Sequence, residues 1–282
     1  MEIKSLKIED AKYPMTLRQI YDPPAEIFYC GNLEVLKRKL VAIVGTRMAS
    51  AHGTASAFTI AKEMSERGIC VVSGLAFGID AAAHRGALDM VGGTIAVIAQ
   101  DLEHLMPSSH YGLAMEIVKK GGLLISEKGF HGETLKHEYL KRNRIISALS
   151  EAVLVVEAAF KSGALNTARH AIEQGKNLMI LPGRITDEQS RGTNKMGNEL
   201  DCLVCSMDEI WDNLGMKKVD EKVRLSGIER KIYQSLKERP QSISELCESF
   251  NVNEVYAAVS ILEISGLAST SGSGVISILD SS

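Results

Sequence analysis

The chain lacks several features that would assign it quickly to a class of protein. It has 282 residues but only 5 cysteines, 6 prolines and 1 tryptophan. Scattered cysteines in an odd number do not form a disulfide framework and fit a reducing cytoplasm. No window approaches the length of a membrane span, and the N-terminus, MEIKSLKIED, has no apolar core or cleavage signal. We therefore expect a cytoplasmic globular protein.

The chain also lacks a strong net charge. The formal charge of −3 gives no global signature of a nucleic-acid-binding protein, although a local basic patch is compatible with it. The close pair Cys202 and Cys205 lies in the apolar segment DCLVC. A single Cys-x-x-Cys without a second pair is a poor zinc site, so we interpret this segment as a buried strand with free thiols. We predict neither a metal nor a cofactor.

A regular alternation of short apolar runs and amphipathic segments occupies residues 41–215. The runs are rich in Val, Ile and Leu, and most of the helical candidates between them end in glycine. The runs are 41–45, 69–73, 93–98, 121–126, 152–158 and 177–183. Strands that are apolar on both faces and alternate with helices indicate parallel βαβ units. We predict an α/β fold with a doubly wound, Rossmann-like, mostly parallel sheet.

The flanking segments have other patterns. Residues 1–40 contain turn signals and isolated apolar anchors, which predict an N-terminal extension packing on the core. Residues 216–225 are charged and predict a linker. The pattern of residues 226–282 predicts three short helices followed by a Gly/Ser hairpin, which is the order of elements in a small winged-helix domain. Residues 216–282 contain 8 Lys+Arg and 9 Asp+Glu, a net of −1, so we expect this part to contact protein and not duplex DNA.

The loops that follow the strands hold the candidate binding residues. In a parallel sheet the ligand lies outside the carboxyl ends of the strands, where helix N-termini present free N–H groups. Arg47, two residues past the first run, is placed to bind a phosphate, although a surface arginine fits equally well. In SGLAFGIDAAAH, Ser73 and Gly74 allow close backbone approach to a ligand. The nearby pair Asp80 and His84 predicts a helix cap and a packed side chain, not a metal site.

A third segment, LKHEYLKRNRIISALS, concentrates positive charge just before a predicted helix. Lys136, Arg142 and Arg144 could track phosphates, and Tyr139 could stack on a base, which is the pattern of a single-stranded nucleic-acid site. The alternative is a solvated basic turn. Four cations within nine residues of an acidic protein, counting Lys141, weaken that alternative.

Two more loops complete the predicted pocket. In KSGALNTARH, Ser162 and Gly163 begin a helix whose free N–H groups suit a phosphate, with ordinary helix capping as the alternative. In PGRITDEQSRGTNK, Arg184, Arg191 and Lys195 could rim the same pocket. These loops contain no nucleophile–base pair.

Together these motifs carry a family resemblance. VAIVGTR, VVSGLAFGIDAAAH, RNRIISALS, VLVVEA, SGALNTA and PGR followed by GTN resemble the DNA-processing protein A family (DprA, also called Smf) over roughly residues 13–214. The tail resembles the winged-helix domain of many members. The resemblance implies a homodimeric, cytoplasmic, single-stranded-DNA-binding protein without enzymatic activity. It implies that the protein protects incoming DNA in natural transformation and helps to load a RecA-type recombinase.

The resemblance also implies roles for particular residues. It assigns DNA binding to Arg47, Lys136 and Tyr139, with Ser162–Gly163 beside them. Many members carry arginine where this chain has Phe77. We therefore expect the loop of Phe77 to offer only neutral backbone donors, and we interpret Phe77 as a packing or dimer residue before a base-stacking one.

The alternative function is an enzyme on nucleotides. The nucleoside-monophosphate phosphoribohydrolases share this kind of sheet and bind phosphate at the motif P-G-G-x-G-T-x-x-E. The corresponding stretch, SGALNTARH, lacks the first glycines and the glutamate. Without that carboxylate, hydrolysis has no obvious acid–base group.

Overall fold

The structure is a computed structural model that describes residues 2–129, 132, 134–216, 227–264, 267–272 and 274–279. Apart from Met216, the predicted linker lies outside the described residues. The chain divides into two compact units, Met1–Met216 and Lys217–Ser282, and each has its own hydrophobic core. No helix in the described part of the chain has both the length and the apolar character that crossing a membrane requires.

An eight-stranded sheet forms the centre of the first unit. Its strands are β1 (Lys4–Lys7), β2 (Glu26–Gly31), β3 (Leu40–Val44), β4 (Cys70–Ser73), β5 (Thr94–Ile98), β6 (Leu123–Ser126), β7 (Ala152–Val155) and β8 (Asn177–Ile180). Their order is β1-β2-β6-β5-β4-β3-β7-β8, and β3 to β8 are all parallel. The predicted Rossmann-like, mostly parallel sheet is confirmed.

Helices cover both faces of this sheet. Successive strand residues point to opposite faces, so the apolar strands present apolar side chains on both faces, and the helices bury them. The helices are α1 (Met15–Arg18), α2 (Ala51–Glu66), α3 (Ile79–Ala87), α4 (Tyr111–Lys119), α5 (Lys136–Leu149), α6 (Gly163–Glu173), α7 (Arg191–Leu200) and α8 (Met207–Asn213). In β3, Ala42 and Val44 belong to the core under α5 and α6. Val41 and Ile43 belong to the core under α2 and α3. Burial on both faces explains the continuous apolar runs.

The first forty residues contribute to the sheet itself. Strand β1 pairs antiparallel with β2, and β2 pairs antiparallel with β6, so the segment extends one edge of the parallel sheet. Leu17 and Ile27 are fully buried in the main core. This segment therefore belongs to the first unit by both hydrogen bonding and packing.

Helix α5 begins earlier than the sequence indicates. The segment from Lys136 to Arg142, which we expected to be a loop, forms the first two turns of this helix. The carboxylate of Glu138 accepts a hydrogen bond from the backbone N–H of Leu135 at 2.6 Å, which satisfies a donor at the helix start. The cations and Tyr139 are therefore held on a rigid helix.

The expectation of a buried strand at the cysteine pair is wrong. Residues 201–205 connect α7 to α8, and only Leu203 makes an isolated bridge, to Ile180. Cys202 is half-buried and Cys205 is exposed. The backbone N–H of Cys205 donates to the side chain of Glu209 at 2.6 Å, so this residue is part of the approach to α8.

The second unit contains three helices and a three-stranded antiparallel sheet. Its elements are α9 (Gly227–Glu238), β9 (Gln241–Ser242), α10 (Ile243–Ser249), α11 (Val252–Ile264), β10 (Ala268–Thr270) and β11 (Val275–Ile278). The strand order is β10-β11-β9. Ile232, Leu246, Val255 and Ile276 lie in its separate core.

Candidate nucleic-acid interface

A cavity of about 1060 Å³ lies at the carboxyl ends of β3, β4 and β7, where ligands bind to sheets of this topology. Its wall includes the loop after β3, the start of α3, one face of α5 and the start of α6. The charged lining residues are Arg47, Lys136, Arg142, Lys161, Arg169, Asp80 and Glu188. Five cations and two acids give the lining a net charge of 5 − 2 = +3, in a chain of net charge −3. The cavity is thus a local basic site in an acidic protein.

Arg47 and Tyr139 are in contact in the lining of this cavity. The guanidinium carbon of Arg47 lies 5.4 Å from the centroid of the Tyr139 ring, within the range of a cation–π contact. The hydroxyl of Tyr139 accepts a hydrogen bond from the amide nitrogen of Gln100 at 2.5 Å. These contacts hold a cation and an aromatic ring side by side, as a site for phosphate and base requires.

A buried carboxylate fixes the loop that carries Arg47. Glu157, just after β7, accepts hydrogen bonds from the backbone N–H of Ser50 at 2.9 Å and from its hydroxyl at 2.5 Å. The same hydroxyl accepts from the N–H of Gly53 at 2.9 Å and caps α2. Thr46, beside Arg47, donates its N–H to the carbonyl of Glu157 at 2.7 Å. The role of Glu157 could not be predicted from the sequence, because this residue lies in the apolar run 152–158, which has the pattern of a buried strand.

Arg142 lies at the floor of the cavity, only 7% exposed. Its guanidinium donates to the carbonyls of Gly74, at 2.8 Å, and Val97. Burial lowers the pKa of Arg142 to about 10, although Asp80 opposes that shift. Burial raises the pKa of Asp80, against the lowering effect of Arg142 and of backbone N–H donors. Arg142 and Asp80 thus influence each other's charge inside the protein.

The loop from Ser73 to Gly78 uses its polar groups internally. The hydroxyl of Ser73 donates to the carbonyl of Ile43 at 2.6 Å. The N–H groups of Gly74 and Ala76 point to the carboxylate of Asp80, at 3.2 and 3.4 Å. The structure therefore does not present Ser73 or the N–H of Gly74 to a ligand in the large cavity, contrary to our expectation of free backbone donors.

Gly78 links this loop to the one that carries Arg47. Its φ of +73° lies in the left-handed region, and a Cβ there would come within 2.3 Å of the Thr46 carbonyl. The next residue, Ile79, donates its N–H to that same carbonyl at 3.3 Å. The close approach of the two loops requires glycine at this position.

Arg144 lies apart from the other predicted site residues. It is 5% exposed and does not belong to the cavity lining. Its guanidinium forms ion pairs with Asp22 at 3.0 Å and Glu127 at 2.8 Å. Lys141 also reaches Glu127, at 3.3 Å. On the same helix, Lys136 and Tyr139 line the cavity, whereas Lys141 and Arg144 tie α5 to Asp22 of the N-terminal segment and to Glu127.

Ser162 and Gly163 do lie at the cavity. Ser162 caps α6 by accepting from the N–H of Ala164 at 3.3 Å, which is the ordinary capping role. A Cβ on Gly163 would meet only Leu140, at 3.9 Å, so the helix start borders open space. Sequence reasoning overlooked Lys161 and Arg169, which are exposed at the same cavity, although both lie in the quoted motif.

The loop after β8 contributes differently from our expectation. Arg184, Arg191 and Lys195 are not among the cavity-lining residues, whereas Glu188 and Gln189 are. Lys195 instead forms an ion pair with Glu199 at 3.7 Å. The cations of the site therefore come from the loop after β3, from α5, from the loop after β7 and from α6.

Within the described residues, a group able to ligate a metal consists of Asp101, Glu103 and His104. It lies outside the cavity, and Asp101 is already hydrogen-bonded to His104 at 2.7 Å and to the backbone N–H of Glu103 at 3.0 Å. Glu103 and His104 are exposed, and exposed acidic groups of this kind are common without a metal. We assign no metal to them.

The chain matches the sequence profile of the family described as DNA recombination-mediator protein A over residues 4–215. It belongs to this family. It is 40% identical over 202 residues to protein Smf of Escherichia coli, a match that covers 72% of this chain and 54% of that protein. The chain thus spans about half the length of this relative.

Solved structures of the family have the same fold. DNA processing protein A from Streptococcus pneumoniae superposes with a TM-score of 0.70 at 37% identity, covering 75% of this chain and 74% of that one. The protein from Helicobacter pylori superposes with a TM-score of 0.69 at 29% identity, covering 76% and 95%. The family resemblance that the motifs carry is confirmed.

Proposed function

We propose that this protein is a non-enzymatic, cytoplasmic single-stranded-DNA-binding protein. We further propose that it acts as a homodimer, protects incoming DNA in natural transformation and helps to load a RecA-type recombinase. The observation that carries the proposal is the basic cavity at the carboxyl ends of the parallel strands, in a chain whose net charge is negative. Family membership supports it, and the relative from Helicobacter pylori is described as binding single-stranded DNA.

The side chains at the cavity match the chemistry of a single strand. Arg47 and Lys136 supply charges for phosphates, and both stand on elements that the fold holds in place. Tyr139 supplies a ring on which an unpaired base can stack, which a base pair inside a duplex cannot do. The site therefore favours single strands over blunt duplex.

The carboxylates around the cavity support the absence of enzymatic activity. Glu157 is buried and engaged by Ser50, and Asp80 is buried and engaged by backbone N–H groups. Glu188 is exposed at the start of a short 3-10 helix. No pair of nucleophile and base stands free at the cavity within the described residues. We expect no free base to form when the protein is incubated with nucleoside monophosphates, and its release at a useful rate would contradict this part of the proposal.

We propose that the second unit is a winged-helix-like module for protein contact. Its helix α11 carries Glu254 and Glu263 and no lysine or arginine. A helix that enters the major groove normally carries cations, because phosphate contacts dominate the affinity for duplex DNA. The charge of this helix therefore favours a protein partner.

Fluorescence anisotropy with a labelled oligo-dT and a blunt duplex tests the proposal. The double variant Arg47→Ala/Lys136→Ala should bind oligo-dT at least about tenfold more weakly at moderate salt, because two phosphate contacts are lost. The slope of log K against log salt should become shallower by about 1.4, since each contact on a single strand contributes about 0.7.

A matched control removes the same charge elsewhere. Arg85 and Lys119 are exposed and do not line the cavity, so Arg85→Ala/Lys119→Ala should leave both affinity and slope nearly unchanged. Unchanged affinity for oligo-dT in the Arg47→Ala/Lys136→Ala variant would contradict the assignment of the cavity as the DNA-binding site.

A further inference from the structure

Helix α11 of the second unit has an inner face and an outer face. On the inner face, Val255 and Leu262 share the separate core with Leu236 of α9. The outer face is exposed and mostly apolar, although the exposed side of a surface helix normally carries polar side chains. Its large apolar side chains, with exposed fractions of 52, 55, 39 and 88%, are Val252, Tyr256, Ile261 and Ile264.

Helical spacing places these four side chains on one side of α11. Val252, Tyr256 and Ile264 follow one another at four and eight residues, which is about one and two turns of an α-helix. Ile261 lies three residues before Ile264, again about one turn away. The remaining residues of the outer face are exposed and uncharged, and they are Asn253, Ala257 and Ser260. The outer face is therefore a continuous uncharged surface along the helix.

The borders of the outer face are acidic. Glu254 and Glu263 are nine residues apart, about two and a half turns, so they stand on opposite sides of the helix. The carboxylate of Glu263 accepts a hydrogen bond from the hydroxyl of Thr270 at 2.5 Å, which holds it at its border. Each border of the apolar surface thus carries one negative charge.

The elements around α11 add no positive charge. Residues 240–282 contain five acids and no lysine, arginine or histidine. In the described part of the second unit, every lysine and arginine lies within residues 230–239, on α9 and directly after it. Helices α10 and α11 and the three-stranded sheet therefore offer apolar and negatively charged groups only.

This combination discriminates between classes of partner. Duplex DNA and anionic lipid are repelled by glutamates that no cation of residues 240–282 offsets. A two-fold pairing with a second copy would bring glutamates together without a countercharge. An α-helix whose apolar stripe lies between lysines or arginines fits both features, because its ridges pack into the grooves of α11 while its cations lie beside the two glutamates.

We propose that the outer face of α11 binds a basic amphipathic α-helix of a partner protein. The proposal deepens the proposed protein-contact role of the second unit and rests on it, and it does not depend on DNA binding by the large cavity. Tyr256 is the aromatic anchor of the contact, Ile264 is the most exposed apolar side chain in it, and the glutamates set the sign of the partner's charge.

Fluorescence anisotropy of the full chain with designed labelled peptides tests the proposal. The probe is a helix of about four turns with a leucine stripe, lysines on both sides of the stripe, and alanine and glutamine elsewhere. One twin carries glutamate in place of lysine, and another has the same composition with its leucines out of helical period. The unaltered protein should bind the basic helix at least about tenfold more tightly than the out-of-period twin, which has no continuous stripe.

Tyr256→Ala/Ile264→Ala should weaken binding of the basic helix at least about tenfold, because the contact loses buried apolar area, and should not change binding of the acidic twin. Glu254→Lys should weaken it about threefold or more by placing a cation beside the lysines. These positions are exposed, so thermal unfolding should stay close to that of the unaltered protein. Tyr21→Ala/Val91→Ala, a matched exposed pair in the first unit, should leave affinity for the basic helix unchanged.

Equal affinity for the basic helix and the out-of-period twin, or full affinity for the basic helix in the Tyr256→Ala/Ile264→Ala variant, would overturn the proposal. A molar mass in solution that falls in this variant would show that the outer face covers a second copy, which would also overturn it. A lower affinity of the variant for blunt duplex would overturn both this proposal and the protein-contact role of the second unit. Failure of the peptides to bind would overturn this proposal alone, since single-strand binding by the cavity is measured separately.

Discussion

At the scale of single residues, the arginines around the cavity divide into two kinds. Arg47 is exposed in the cavity lining, and its guanidinium contacts the ring of Tyr139. Arg142 is buried and holds the carbonyls of Gly74 and Val97. Arg144 is buried in an ion-pair network. The first can bind a phosphate, whereas the other two organise the protein around it.

Arg142 provides a prediction about stability. Arg142→Leu should lower the free energy of unfolding by about 3 kcal/mol or more, because it leaves Asp80 without its countercharge and two buried carbonyls without a donor. Urea unfolding measures this loss. The exposed Arg85 on α3 gives the control, since Arg85→Leu should cost well under about 1 kcal/mol. Equal losses in the two variants would contradict the assigned role.

His84 provides a prediction about pH. The hydroxyl of Thr94 donates to the carbonyl of Val71 at 2.7 Å, so it accepts from Nδ1 of His84 at 2.8 Å. Nε2 of His84 is buried and has no hydrogen-bond partner among the described residues. Burial, aided by His110 and the nearby arginines Arg142 and Arg85, lowers the pKa of His84 to about 3. The folded state therefore keeps His84 neutral while the unfolded chain takes up a proton below about pH 6.5.

Stability should thus fall as the pH drops below about 6.5, by roughly 1.4 kcal/mol per pH unit from this group. His84→Gln removes the titration, so between pH 6.5 and 5 the unaltered protein should lose about 2 kcal/mol more than this variant. Urea unfolding at the two pH values measures the difference. His52→Gln, at an exposed position, should follow the unaltered protein. Parallel pH profiles for the His84→Gln variant and the unaltered protein would refute the prediction.

The sequence patterns identified residues that line the cavity, but they did not distinguish these residues from neighbours whose polar groups are engaged inside the protein. Arg47, Lys136, Tyr139, Ser162 and Gly163 lie at the cavity as the motifs suggested. Burial of Arg144 and engagement of Ser73 depend on partners more than twenty residues away in sequence, Asp22 and Ile43. No local pattern contains such contacts, which is why these residues resembled the cavity residues Arg47 and Ser162 in the sequence.

At the scale of secondary-structure elements, the start of α2 determines where Arg47 stands. Glu157 on the loop after β7 holds Ser50, and Ser50 caps α2. A Cβ at Gly53 would come within 2.3 Å of the Glu157 carboxyl group. The position of the Arg47 loop therefore depends on a glycine in the first turn of the helix.

Gly53→Ala should lower the free energy of unfolding by about 1–3 kcal/mol through overpacking against Glu157. It should also weaken oligo-dT binding, because the loop of Arg47 must move. Gly112 in α4 is the matched control, since a Cβ there meets open space, and Gly112→Ala should stabilise the protein by about 0.5–1 kcal/mol. Thermal unfolding and anisotropy check both variants. A Gly53→Ala variant as stable as the unaltered protein would refute this packing argument.

Element type was easier to predict than element boundary. All six apolar runs form parallel strands. They were predictable because burial on both faces of a sheet requires a continuous apolar run. Helix α5 begins seven residues before the predicted start at Asn143, since its first two turns are mostly polar and show no apolar period. Strands β1 and β2 were not predicted because they have only one and two buried positions, respectively, within turn-rich sequence.

At the scale of the whole molecule, the cavity belongs entirely to the first unit. Every residue that lines it lies before Met216, and the second unit has a separate core. The charge of the second unit also opposes a contribution to DNA affinity, because residues 216–282 carry a net charge of −1.

A chain that ends at Met216 should therefore still fold and bind oligo-dT within about twofold of the full chain, a difference of about 0.4 kcal/mol. Circular dichroism during heating and anisotropy measure the two properties. A loss of affinity of tenfold or more in a folded truncated protein would show that the second unit takes part in binding, and would contradict its assignment to protein contact.

A crystal structure of the full chain with oligo-dT tests the central claim most directly. We expect phosphates beside Arg47 and Lys136 and a base against Tyr139, at the carboxyl ends of β3 and β7. A strand seated on another surface, with the large cavity unoccupied, would contradict the account.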